Sequence, residues 1–192
     1  MKEILIGAHL LGLSLSFMNA LSLDTRIARQ LLFGTEIHVA RAKGAGLLAL
    51  RSGFFLLLAS GIGLLLLYWV KTPELLSNPK IWAKTTIVLI AGLNGCLIER
   101  YLLMNKAGEC APGRMPIFFL LSVSWASWFS AFALGVWKSI NYVASFQLLM
   151  GGYALFVVSL FFGVWGASLK NYSGRRQLRN VPSGHKFRAM EA

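Results

Sequence analysis

The sequence predicts an all-α protein, a polytopic transmembrane helix bundle of about five spans. Three observations predict it: the composition, the length of the apolar runs, and where the basic residues fall. Of 192 residues, 56% are hydrophobic and 14% are charged, with a mean hydropathy of +0.63. A soluble domain carries roughly 25% charged residues, so water is the wrong solvent for most of this surface. A hydrocarbon core about 30 Å thick needs roughly 20 apolar helical residues. Five segments meet that length, at about 4–23, 45–70, 81–98, 116–137 and 142–169. The connections are too short for a separate soluble domain, leaving a bundle over residues 1–170 and a basic tail over 171–192.

The net charge of +12 reads as topology and excludes nucleic acid as the partner. Alternate connections on one side hold Arg26, Arg29, Arg41, Lys43, Arg51, Arg100, Lys106, Arg114, Lys170 and the five basic residues of the tail, 14 in all. The other side holds Lys2, Lys71, Lys80, Lys84 and Lys138. The positive-inside rule then puts the N-terminus outside and the C-terminus in the cytoplasm, as in a multi-pass protein of a cell's inner membrane.

The first span follows Lys2, but Glu3 offsets that charge and Met18 is a poor residue before a cleavage site. The segment therefore reads as a retained helix rather than a signal peptide. Asp24 stands after this run as an N-cap for a short amphipathic helix, Thr25 to Phe33, lying on the membrane surface. Gly34 stops it and Thr35 restarts the chain toward the second span. Pro73, Asn78 and Pro79 mark the next connection, and Ala107 to Gly113 the one before the fourth span. The fourth connection is a tight turn around Ser139 to Asn141. The tail, with Gly174, Pro182 and Gly184, reads as mobile.

Tyr68, Trp69, Trp82, Trp137 and Tyr142 fall at one interface, and Tyr101, Trp165 and Tyr172 at the other, as an aromatic belt requires. Trp125 and Trp128 lie deeper, where their N–H groups need partners. Ala59 with Gly63 and Ala91 with Gly95 have the spacing that lets helices approach closely. Cys96 and Cys110, in the third span and the following loop, form neither a disulfide pattern nor a metal motif. No phosphate loop, nucleophile triad or zinc motif occurs. A transporter reading suffers from few intramembrane acids and from the lack of a Pro/Gly-broken helix pair.

Polar residues inside the spans carry the functional expectations, because a charge at mid-bilayer costs about 2.5–3.5 kcal/mol on insertion scales. His9 and Lys84 enter from the same face, at depths of about 7.5 and 4.5 Å, and so could share one pocket walled by Trp82 and Thr85. Toward the opposite face, Asn19 and Asn94 have matching depth and are expected to pair. Arg51 is expected to pair with Glu99. Those two pairs read as structural cross-links. An interhelical hydrogen bond for His9 and headgroup snorkelling for Lys84 are the plain alternatives to a ligand site.

The residues His9, Ser60-Gly61-Ile62-Gly63-Leu64-Leu65 and Asn78-Pro79-Lys80-Ile81-Trp82-Ala83-Lys84 resemble the CopD/HemJ-like small membrane proteins over about residues 4–100. That family includes copper-resistance proteins and a haem-dependent protoporphyrinogen oxidase. The resemblance implies a functional histidine in the first helix and lysine in the third, here His9 and Lys84, with haem b as cofactor. Trp82-Ala83-Lys84 has one residue fewer than the family's spacing, and Asn94 stands where the oxidases have a second histidine. His38 and His185 fall in loop and tail, so a haem held by two transmembrane histidines of one chain is excluded. His9 would be joined by Lys84, a methionine, water or a partner's ligand. The other functional class is a non-enzymatic accessory or assembly subunit of a larger membrane complex, with other membrane-protein subunits as partners.

Overall fold

A computed structural model of the chain describes residues 1–33, 45–104 and 114–179. Five helices carry the fold: α1 (Lys2–Phe33), α2 (Ala45–Lys71), α3 (Pro79–Met104), α4 (Arg114–Val136) and α5 (Phe146–Arg179). All five are long and apolar enough to cross a membrane. Short 3₁₀ turns, Pro73–Ser77 and Lys138–Ile140, lie in the α2–α3 and α4–α5 connections. These connections share one face of the bundle with Met1, here the N-terminal face. The expectations placed on Gly34, Thr35, His38, Ala107 to Gly113, Cys110, Pro182, Gly184 and His185 lie outside the described residues.

Helix α1 differs from expectation. It does not end near residue 23 but continues to Phe33, giving a length of about 48 Å. Asp24 is therefore no cap, and the Thr25 hydroxyl donates back to the Leu21 carbonyl at 2.7 Å as an interior helical residue does. Nor does the segment after Asp24 lie on a surface. Ile27, Ala28 and Leu31 are buried against Ile98 of α3 and Ile117, Phe118 and Leu121 of α4.

The α4–α5 connection also differs. Helix α5 starts at Phe146 rather than near 142, with the Ser145 hydroxyl accepting the Leu148 N–H at 3.2 Å, an N-cap arrangement. Ahead of it Tyr142 has φ 61°, a left-handed conformation that interrupts a helix. Helix α5 then runs on to Arg179, so the first part of the expected tail is helical. Helix α3 begins as its sequence suggests. Pro79 occupies the first turn, and the Asn78 side-chain oxygen accepts the Lys80 N–H at 3.1 Å.

Helix α4 is the centre of the bundle. Of its spanning window 56% is buried, against 11% for α5. On it Ala126, Ala131 and Leu134 pack with Ala83 and Ile87 of α3 and Tyr153 and Val157 of α5. Trp128 packs with Ala20 and Leu57 and lies edge-on to Phe54 at 6.2 Å. Bundles in lipid are held by packing and interhelical bonds, since lipid tails are as apolar as the side chains.

Helices α1 and α2 approach each other backbone to backbone. A Cβ on Gly12 would lie 2.6 Å from the Leu57 backbone nitrogen and 2.9 Å from the Gly53 carbonyl oxygen. One on Gly53 would lie 2.8 Å from the Leu15 Cβ. Of the small residues expected to bring helices together, Gly63 meets only the Leu5 side chain and Gly95 meets nothing within 4 Å. Gly12, Ser16 and Ala20 on α1 and Gly53 on α2 form the seam instead.

Candidate functional site

The site near the N-terminal face is built from four helices. His9 of α1 lies against α2, its Nδ1 3.2 Å from the Ser60 hydroxyl and its ring edge against Gly61, where a Cβ would come within 3.4 Å. Lys84 of α3 is an electrostatic neighbour of His9. The Lys84 Nζ lies 4.0 Å from where a Cβ on Gly135 of α4 would stand.

The hydrogen bonds fix the histidine's tautomer. Ser60 has one proton to give, and its hydroxyl lies 2.6 Å from the Leu56 carbonyl, an acceptor only. The hydroxyl oxygen therefore accepts from His9, so Nδ1 carries the proton. The ring also has the Leu57 backbone as a hydrogen-bonding neighbour. In the neutral ring Nε2 is left with a free lone pair. A histidine held through Nδ1–H to an oxygen is oriented as a metal-ligating histidine is.

Lys84 is the second notable group. Among the described residues the ion pair is Arg51 with Glu99, and no carboxylate meets the Lys84 ammonium. Lys80, one turn earlier, is differently placed. It is buried, and its ammonium donates to the Trp137 carbonyl at 2.6 Å and the Asn141 side-chain oxygen at 2.9 Å, tying the start of α3 to the end of α4. The residues expected as pocket walls make their hydrogen bonds within their own segment. The Trp82 indole donates to the Leu76 carbonyl at 2.7 Å, and the Thr85 hydroxyl donates to Ile81 at 3.0 Å.

Toward the opposite face, Arg51 and Glu99 form the expected ion pair across α2 and α3. Asn19 and Asn94 do not pair. The Asn19 amide donates to Leu15 in its own helix at 2.7 Å, while Asn94 donates to the Leu120 carbonyl of α4 at 2.9 Å. Equal depth was the basis for pairing them, but α4 lies against α3 and takes the Asn94 amide. The groups of three or more His, Cys, Asp or Glu that hold a metal ion are absent among the described residues.

One polar residue of consequence was missed. Asp24, the chain's sole aspartate, is only 3% exposed, with the Ser124 hydroxyl as its hydrogen-bonding neighbour. Its signal was present in the sequence: Gly12, Ser16, Ala20, Asp24 and Ala28 recur every four residues, one continuous stripe of a helix. Read as a helix start, Asp24 dropped out of that stripe.

The five helices are those of a multi-pass membrane protein, and His9 and Lys84 are electrostatic neighbours near one face of it. No family model, curated protein or solved structure matches the chain.

Proposed function

We propose that this membrane protein binds haem b at the His9/Lys84 site, in keeping with its resemblance to the CopD/HemJ-like proteins. The observation carrying this reading is the contact of His9 Nδ1 with the Ser60 hydroxyl at 3.2 Å, which leaves the Nε2 lone pair free. The residues fit the group in two respects. Nε2 would ligate the iron, and the half-buried Lys84 ammonium, which meets no carboxylate among the described residues, would pair with a propionate, since a charge drawn out of water favours an anion beside it. That use of Lys84 keeps it charged, whereas coordination to iron would require its deprotonation. Haem would supply one-electron redox chemistry. Ser60 and Leu57 would hold the imidazole, and Lys84 would orient the anionic edge. By the positive-inside rule the site faces the outside of a cell's inner membrane, with the C-terminus in the cytoplasm.

Haem titration of the detergent-solubilised protein tests this reading. Saturation at one haem per chain, with a Soret band that His9→Ala abolishes and Lys84→Met weakens, is expected. Equal binding by wild type and His9→Ala would refute it.

A second reading, an accessory subunit of a larger membrane assembly, is favoured by the surface of α5. Gly152, Ser159, Gly163 and Gly166 lie along one exposed line of that helix, and a Cβ on any of the three glycines would meet nothing within 4 Å. Small residues of this kind let a second helix approach. Co-purification with a larger assembly in mild detergent, lost on Gly163→Leu, is the expected result. A monodisperse chain without partners would refute it.

A further inference from the structure

Among the described residues two buried side-chain polar atoms have no hydrogen-bond partner: Oδ2 of Asp24 and Nε1 of Trp125. They belong to one neighbourhood. Ser124, next to Trp125 on α4, is the hydrogen-bonding neighbour of Asp24, and Trp125 packs on the Ile27, Ala28 and Leu31 cluster that begins one turn beyond Asp24. Ser124 lies about 15 Å along α4 from its first residue, near the middle of a core about 30 Å thick. A carboxyl at that depth is expensive to keep ionised without a cation.

Among the described residues no cation is an electrostatic partner of Asp24. On α1, Arg26 and Arg29 are exposed. From α2, Arg51 is paired with Glu99 of α3. From α3, Tyr101 packs against the neighbouring cluster; from α5, Phe161 and Val164 do so. Helix α4 presents Ser124 and Trp125. None of these supplies a positive charge to the carboxyl.

We infer that Asp24, Ser124 and Trp125 form a proton-binding site at the centre of the membrane domain, with Asp24 held as a neutral carboxylic acid. The proton on Oδ2 removes the charge and turns an unpaired acceptor into a donor. A single water then satisfies both orphan atoms, accepting from the Asp24 O–H and from the Trp125 N–H. The ligand class is thus the proton with one bound water. The site is separate from His9 and Lys84 and does not depend on haem.

Because the chain has one aspartate, labelling its side-chain carboxyl with ¹³C isolates this group in the intact protein. In lipid at neutral pH the site predicts a carboxyl signal of the protonated form, with a C=O stretch that moves down in D₂O. Trp125→Phe should shift that signal by removing the indole donor. Asp24→Asn, the neutral isostere, should melt with the wild type. A carboxylate signal at neutral pH overturns the inference. So does a signal that responds to sodium or potassium in place of the proton, or one unmoved by Trp125→Phe.

Discussion

Adding one methyl group at Gly12 should separate α1 from α2. The Cβ of Gly12→Ala would stand 2.6 Å from the Leu57 nitrogen, 2.9 Å from the Gly53 oxygen and 3.0 Å from the Leu57 Cα. All three are backbone atoms, so no side chain can rotate away. Ordinary contact begins near 3.4 Å, and the helices must move apart by about 0.8 Å in a packed interior that resists such shifts. Overpacking of this kind costs about 1–3 kcal/mol. For a chain of this size that corresponds to a fall in Tm of about 2–12 °C. Thermal unfolding in one detergent, followed by helical circular dichroism, measures it. Gly53→Ala should behave alike, because its Cβ meets Leu15 and Ser16 across the same seam. The double variant should cost less than the two losses added, since one separation relieves both clashes. Gly95→Ala, with open space around it, should be neutral or gain up to about 1 kcal/mol from helix propensity. Gly92→Ala meets the tip of the Phe54 ring, which can turn aside, and should fall between. A Gly12→Ala protein that melts with the wild type would refute the seam.

Removing the Lys80 ammonium as Lys80→Met deletes bonds to the Trp137 carbonyl and Asn141. A destabilisation of about 1.5–3 kcal/mol is expected for charged hydrogen bonds, with faster proteolysis in the α4–α5 connection as its local sign. Asn94→Leu should cost about 0.6–1.7 kcal/mol, the range of interhelical bonds in membranes, while Asn19→Leu, which breaks only a bond within its own helix, should stay within about 0.5 kcal/mol. Equal losses at the two positions would restore the paired-asparagine arrangement.

Span number was legible because it depends on one-dimensional quantities, run length and charge alternation. Depth is also one-dimensional, which is why His9 and Lys84 could be assigned to one face and Arg51 matched with Glu99. What depth does not contain is rotation about each helix axis. Asn19 and Asn94 share a level but point to different neighbours, and Ser60, the residue that fixes the His9 ring, lies on a helix the depth argument never consulted. Asp24 failed for a local reason. An aspartate after an apolar run, followed by Thr25-Arg26, has the form of a helix start, and nothing within a few residues separates that from an aspartate inside a helix. The four-residue stripe from Gly12 to Ala28 does separate them, and it also contains the α1–α2 seam that the Ala59/Gly63 and Ala91/Gly95 pairs missed.

The proposed haem site requires that His9 offer its Nε2 to the iron. The absorption spectrum of protein purified from membranes of cells supplied with a haem precursor tests it most directly. The expected spectrum has a Soret band that co-elutes with the chain, disappears in His9→Ala, and changes position in Ser60→Ala as the support of the ring is lost. A colourless wild-type protein, or a band of equal height in His9→Ala, would contradict it.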